Sequence, residues 1–372
     1  MSGQPEIIVV GAGIVGCSIA HELARRGASV QVVEERATGM GATQASAGIL
    51  APHVEGGASN TLLSLAVRSL TLFDDFVAAV QEDSGLQLLY RRTGTLQVAV
   101  NDEEMRELRN AAARLDAQRV PFGVLDAEAL RVEEPHLSND VTGGLVIPSH
   151  GFVAAAQLVR AVAAAARRRG AQIIEGSRVQ RIAPSRDQVV VETDRGPLSG
   201  SAVVLAAGSW SPRIDIAGVP SRAPVRPVRG QLLRLTWNGP GLRRVVWSNR
   251  CYVVPWDDGS FLVGATAEEA GFDERTTAAG VHDLIEAACE MLPAAWTAGF
   301  VEARVGLRPA STDLLPVIGR SSFHPNLIYA TGHYRNGILL APLTAVLVAD
   351  ALLNDAEDPA LAAVSPQRFG EL

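Results

Sequence analysis

Cysteine is scarce in this chain: 372 residues contain three, Cys17, Cys251 and Cys289. They are scattered, odd in number, and no two have metal-ligand spacing. A disulfide framework and a zinc-type site are not expected, and a reduced, cytoplasmic chain is the simplest reading. No apolar run reaches the length of a membrane span; residues 337–353 come nearest and are interrupted by Pro342, Thr344 and Asp350. The N-terminus, MSGQPEIIVV, has neither a basic n-region nor an apolar h-region, so no signal peptide is expected. Positive charge is not in excess, since the net charge is −7. Its one basic run, Arg167–Arg169, is short and is expected at the solvated end of a helix. Nucleic acid and acidic lipid are therefore not expected partners. Repeats and long low-complexity segments are absent too. What is abundant is apolar residues, 47% of the chain, enough for a sizeable core and for more than one domain.

Residues 6–35, EIIVVGAGIVGCSIAHELARRGASVQVVEE, form the clearest motif. Ile7–Val10 is a continuous apolar run, as expected of a parallel strand buried on both faces. Gly11, Gly13 and Gly16 follow in G-x-G-x-x-G spacing. Ile14, Ile19, Ala20, Leu23 and Ala24 then recur with helical period, and Arg25, Arg26 and Gly27 end the helix. Val30–Val33 is a second buried strand closed by Glu34. Gly11 permits the tight turn, Gly13 lets amides approach a pyrophosphate, and Gly16 lets helix and strand pack closely. The helix N-terminus, with Ile14 and Val15, favours the anion. Glu34 at the strand tip, with Glu35 beside it, is placed to accept hydrogen bonds from an adenosine ribose. That pattern favours NAD or FAD over NADP.

The next stretch separates those two. ATGMGATQASAGILAP, residues 37–52, is a small-residue loop able to lie flat against a large planar ligand. Ala42, Thr43, Ala47, Gly48 and Ile49 are its expected contacts. NAD dehydrogenases usually pass directly to another strand–helix unit. Two later segments read as returns to the same domain. One is the strand Val203–Ala206, ending in Ala207–Gly208 before Trp210. The other is NLIYATGHYRNGILLAP, residues 326–342, whose helix is expected to start near Leu340 because Pro342 suits a first turn. Such a split domain suits FAD, with Val179 among its expected contacts.

Arg308 lies in an apolar frame within RVGLRPASTDLLPVIGR. A cation there needs an anion, either a structural acid such as Asp313 or a substrate carboxylate held by the guanidinium fork. Tyr252 opens a hairpin whose turn is Asp257–Gly259 and whose return strand is Phe261–Gly264. Residues 102–118 read as an amphipathic helix with Asp102 as N-cap, and 225–236 read as a strand.

VVGAGIVG, ATQASAGILAP, CYVVP, LVGAT, GLRP, LPVIG and ATGHYRNGILLAP occur in order. With them the chain resembles, nearly end to end, the glycine oxidase and D-amino acid oxidase group of FAD-dependent amine oxidases, glycine oxidase most closely. The resemblance implies an α/β fold, a Rossmann-like FAD-binding domain interleaved with a mixed-sheet α+β substrate domain. Expected boundaries are 1–82, 145–217 and 302–372 for the first, and 83–144 and 218–301 for the second. It implies backbone contacts to the flavin from His333, Tyr334, Asn336, Gly337, Ile338 and Leu339, with no chemistry from the His333 side chain. Helix-entrance amides there would stabilise charge on the reduced ring. It also implies that Arg308 and Tyr252 hold the substrate carboxylate, that Arg335 adds positive charge at the flavin edge or the carboxylate, and that Trp247 and Ala267 lie near the pocket mouth and wall.

The implied reaction oxidatively deaminates a small amino acid (glycine, sarcosine or a small D-amino acid) by hydride transfer to flavin N5. Its products are an oxo acid, ammonia and hydrogen peroxide, as in thiamine biosynthesis. FAD is expected to be non-covalent, the acceptor dioxygen or another electron acceptor, and the protein a homo-oligomer. The alternatives are a D-amino acid or D-proline type dehydrogenase that reduces a quinone or partner, a sarcosine-type oxidase, a non-catalytic flavoprotein subunit, and a plain NAD-dependent dehydrogenase.

Overall fold

The structure is a computed structural model and describes residues 7–55, 59–186, 188–237, 239, 241–356, 358–370 and 372. The reading of the extreme N-terminus as leader-free falls on residues 1–6 and lies outside them.

Ile7–Val10 forms the centre of a six-stranded sheet. Its order is 317–320, 327–331, 202–205, 7–10, 30–33 and 172–174. Five strands run parallel, and only Val317–Arg320 is antiparallel. The continuous apolar runs follow from this, because both faces are covered. Ile7 and Val9 face one core, with the helices Ile14–Arg25, Asn60–Ser84, Ala155–Arg168 and Gly337–Leu353. Ile8 and Val10 face the other, under a four-stranded sheet that includes Val179–Pro184 and Val189–Thr193. Alternate residues therefore feed alternate cores, as the pleat requires.

A second, eight-stranded sheet carries the long antiparallel pair Val225–Thr236 and Gly299–Ser311 at one edge. The expected strand 225–236 is seen with those bounds. The hairpin Tyr252–Pro255 to Ser260–Gly264 lies beside it, with its turn where the Asp-Asp-Gly run places it. The helices Asp102–Ala117 and Ala278–Met291 pack on this sheet.

Three expectations need correction. The N-cap of the helix at 102 is Asn101, whose side chain accepts from Glu104 N at 2.9 Å, so Asp102 is already helical. The strand read as Val203–Ala206 runs one residue earlier, Ala202–Leu205. The last helix starts at Gly337, which places Pro342 in its interior. Proline in that position disrupts the ladder. Ser69 repairs it: its hydroxyl donates to Leu339 O at 2.6 Å and accepts from Leu343 N at 3.3 Å, bridging one opened turn. A polar atom from a helix 270 residues away in sequence thus decides where this helix begins.

Candidate active site

A cavity of about 590 Å³ runs from the turn after Ile7–Val10 to the face of the eight-stranded sheet. Its first end is made by backbone. Gly11 has φ +105°, and a Cβ there would stand 2.6 Å from Ala206 O. A Cβ on Gly16 would overlap Gly11 O. Gly13 differs, with an ordinary extended backbone (φ −72°, ψ 179°). A Cβ there would meet nothing of the protein nearer than Thr43 Oγ1 at 3.5 Å. Packing explains glycine at 11 and 16, whereas at 13 the open side faces the cavity. A cradle that only a ligand would fill fits a pyrophosphate at a helix N-terminus.

Glu34 stands at the strand tip and lines the cavity. Its Oε2 accepts from Ala12 N at 2.7 Å and its Oε1 from Arg36 N at 2.8 Å. A carboxylate has about four lone-pair sites, so these bonds orient it and leave acceptor capacity for a ribose. Glu35 lines the same end. Thr43 caps the dinucleotide helix across 29 residues by accepting from Ile14 N at 3.1 Å. The small residues of the 37–52 loop have a packing reason as well. Gly306, on the neighbouring strand, would place a Cβ 2.9 Å from Ala45 Cβ and 3.3 Å from Ala42 Cα. Gly48 has φ +71°, and a Cβ there would overlap Val153 O.

At the far end, the strand Leu327–Thr331 leads into a turn stitched to Pro309 and Ala310. Tyr334 N donates to Pro309 O at 2.8 Å, and His333 bridges to Ala310. The His333 ring is turned into the protein, with Nε2 at 3.1 Å from Thr344 Oγ1. Burial pushes its pKa down to about 4, so it is neutral near pH 7. The N-terminus of Gly337–Leu353 meets the cavity at Gly337 and Ile338.

Arg308 and Tyr252 line this end together. Arg308 Nη1 donates to Thr266 O at 2.8 Å. Asp313, the structural alternative, is taken by Arg368, whose Nε donates to it at 2.7 Å. Two strand glycines make room for the pair. A Cβ on Gly230 would run into the Arg308 guanidinium, and one on Gly264 into the Tyr252 ring and hydroxyl. The Trp247 ring lies 5.1 Å from that of Tyr252. Arg335 is exposed, lines the cavity, and holds its guanidinium 5.3 Å from the Tyr334 ring centroid.

The cavity brings together Arg308, Tyr252, Arg335, Gly11, Gly13, Ile14, Val15, Glu34, Glu35, Ala42, Thr43, Ala47, Gly48, Ile49, Val179, Ala207, Gly208, Trp210, His333, Tyr334, Gly337 and Ile338. Gly16, Asn336 and Leu339 do not border it, nor does Ala267. Gly16 packs under the turn. Asn336 is buried at the helix start, where its carbonyl accepts from Leu340 N at 2.8 Å. The Leu339 carbonyl is committed to Ser69.

Sequence reasoning missed Arg36, Ser177 and Gly230, which also line the cavity. Arg36 lies 4.6 Å from the Trp210 ring centroid and forks onto Glu274 at 3.0 and 2.6 Å. Only glycine inside a strand, at 230 and 264, carried a readable signal: such a residue marks a close approach. Among the described residues no group of three or more His, Cys, Asp or Glu is placed to hold a metal, and no helix is long and apolar enough to cross a membrane.

The fold and the cavity define a flavin-type dinucleotide protein with a second sheet closing the redox end. The chain belongs to the family described as DAO, FAD dependent oxidoreductase, whose sequence pattern matches residues 6–351. It is 34% identical to the glycine oxidase of Geobacillus kaustophilus over 352 residues, which is 94% of this chain and 93% of that protein. It is 35% identical over 376 residues to a bifunctional ThiO/ThiG protein of Synechocystis. There it spans 99% of its own length and 55% of the relative's, about half. The crystal structure of glycine oxidase from Geobacillus kaustophilus superposes with a TM-score of 0.94 at 33% identity, covering 99% of both chains. FAD is the cofactor of this family, and the open cradle at Gly13 together with the Glu34 acceptor fits it.

Proposed function

We propose that this protein oxidises a small amino acid with FAD as electron acceptor, and that glycine, sarcosine or a small D-amino acid is the substrate. When bound, FAD supplies the two-electron acceptor for the substrate's α-C–H bond. The chain's own residues bind and orient. Gly11, Gly13 and the first turn of Ile14–Arg25 take the pyrophosphate, and Glu34 takes the ribose. The loop from Ala42 to Ile49, with Ala207, Gly208 and the turn from His333 to Ile338, frames the ring system. Arg308 receives the substrate carboxylate, Tyr252 donates its hydroxyl to the same group, and Arg335 adds positive charge at the mouth. A substrate held by its acid end presents its α-carbon in a fixed pose, and that positioning lowers the entropy cost of reaction.

The observation that carries this reading is Arg308. Its guanidinium is oriented by a backbone carbonyl, stands beside Tyr252, and lies at the opposite end of the cavity from the dinucleotide turn. Arg308→Ala tests it. The variant should purify yellow with bound FAD and show no reduction by glycine under anaerobic conditions. Full reduction at the wild-type rate would remove the carboxylate assignment.

The acceptor is read as dioxygen and the products as an oxo acid, ammonia and hydrogen peroxide; peroxide yield measured against dye reduction separates this from a dehydrogenase. FAD is read as non-covalent. Cys251 borders the cavity, but burial pushes its thiol up to about 11, which leaves it protonated and a poor nucleophile. The segments 1–82, 145–217 and 302–372 are read as the cofactor domain; the strands of the six-stranded sheet fall within them, whereas Gly143–Ile147 and Gly299–Ser311 cross the bounds at 145 and 302 as members of the eight-stranded sheet. A homo-oligomer is supported by the exposed Trp296, Phe300 and Val301. A cytoplasmic setting is supported by three free, buried cysteines.

A further inference from the structure

Arg308 is held by a peptide carbonyl, and that carbonyl is itself held. Thr266 N donates to Gln231 O at 3.2 Å, and Gln231 N donates back to Thr266 Oγ1 at 2.9 Å. The Thr266 hydroxyl then donates to Glu268 Oε1 at 2.6 Å. Glu268 is saturated with donors. Gln231 Nε2 reaches Oε1 at 2.7 Å, and Arg229 reaches Oε2 from Nη2 at 2.5 Å and from Nε at 3.2 Å. Gln231 is fully buried, and three of its four amide sites are used, both donors among them. Its Nε2 also donates to Thr277 Oγ1 at 2.9 Å, and its Oε1 accepts from Thr277 N at 2.9 Å. Thr277 is the N-cap of Ala278–Met291. Backbone bonds of 2.9 Å in both directions tie Arg229 to Glu268.

A rigid, satisfied polar network therefore runs from a helix cap to the guanidinium fork. Neither Thr266 nor Glu268 borders the cavity. Resting on the reading of Arg308 as the carboxylate clamp, we infer that Thr266 and Glu268 are positioning residues for the substrate: through the Thr266 carbonyl they fix the angle at which the Arg308 fork meets a carboxylate. Two parallel N–H···O bonds demand a set plane, so a carbonyl free to tilt would cost binding without removing any charge from the site. Glu268 must be a carboxylate here because every neighbour donates to it. An amide at that position would turn an NH₂ toward a donor.

The test uses the FAD-loaded protein and acetate, a bare carboxylate, titrated by the change it causes in the flavin absorbance spectrum. Thr266→Val, which keeps volume and deletes the hydroxyl, should weaken acetate binding about tenfold and raise KM for glycine by a similar factor, because a hydrogen bond to a charged group is lost from the chain. The limiting rate at saturating glycine should change less than KM. Thr266→Ser, which restores the hydroxyl, should bind acetate within about twofold of wild type. Glu268→Gln supplies the same reading if Thr266→Val fails to fold. Wild-type acetate affinity in folded, FAD-replete Thr266→Val or Glu268→Gln would overturn the inference. Arg308→Ala in the same titration keeps the two readings apart. If Arg308→Ala binds acetate as wild type does, the carboxylate clamp falls and this inference with it. If only Arg308→Ala loses affinity, the clamp stands and the positioning role is wrong.

Discussion

The two ends of the cavity are built in opposite ways. At the dinucleotide end, Gly11, Gly13, Gly16 and Glu34 come from one 28-residue strand–helix–strand segment, Ile7–Glu34, and act through backbone and close packing. At the substrate end, Arg308, Tyr252, Thr266 and Gly230 come from four separate places in the chain: the first two reach in with their side chains, Thr266 offers its carbonyl to Arg308, and Gly230 leaves room for the guanidinium. The first is short-range and rigid, since its tolerances are set by one backbone against another. The second is long-range, and when crowded the far end of a side chain can yield where a backbone atom cannot. The same substitution, glycine to alanine, should therefore do different things at the two ends.

Gly16→Ala puts a Cβ into Gly11 O, backbone on backbone, with no flexible atom to yield. Its expected cost is the largest, at least about 3 kcal/mol, with FAD lost on purification. Thermal unfolding and the flavin absorbance ratio read both. Gly230→Ala meets the far end of a flexible arginine instead. Stability should fall by no more than about 1 kcal/mol and FAD should stay bound. KM for glycine should rise by a factor on the order of 100 if Arg308 is the carboxylate clamp proposed above, because its guanidinium would be displaced by about an ångström. If Gly230→Ala lost FAD instead, the contrast between the two ends would collapse.

Ser69→Ala probes the link between cofactor turn and core. It strands Leu339 O and Leu343 N beside Pro342, at a cost of about 1–3 kcal/mol in urea unfolding. Steady-state KM should hold, since Ser69 lies off the cavity.

The effect that is smallest near neutral pH, and appears only on acidification, belongs to two buried histidines. His150, buried against Thr95 on the substrate-side sheet, has its pKa pushed down to about 3, and His333, beside the flavin end, to about 4, both by burial. A folded pKa below the unfolded value of about 6.5 means that stability is fully present above that value. It is lost as pH falls toward the folded pKa. Each histidine should take away up to about 1.4 kcal/mol per pH unit below pH 6. His150→Gln and His333→Gln should each flatten the acid side of a plot of unfolding free energy against pH. Equal slopes in wild type and variants would show that these rings already titrate in the native protein.

Legibility followed distance along the chain rather than the two ends of the cavity. Ile7–Val10 and Val30–Val33 could be read directly, because strands buried on both faces must be apolar without interruption. The hairpin at Tyr252 was readable from its Asp-Asp-Gly turn. The start of the last helix was not. Pro342 argues for a first turn on local grounds, and only Ser69, supplied by another helix, makes an interior position tenable. The N-cap at 101 was misplaced by one because Asn101 and Asp102 are both good caps, and the choice rests on which of them turns extended.

The sequence by itself determined the parallel strands, the glycine turn, the acid at the strand tip and the family, because these depend on periodicity and on neighbours a few residues away. Only the tertiary structure decided that Ala206, at the end of a distant strand, is what crowds Gly11, and that Thr43 is the nearest neighbour of Gly13. It also decided that Asp313 belongs to Arg368, and that Arg308 donates to the Thr266 carbonyl. Those facts depend on register between distant strands, where a shift of a single residue sends every side chain to the other face of the sheet.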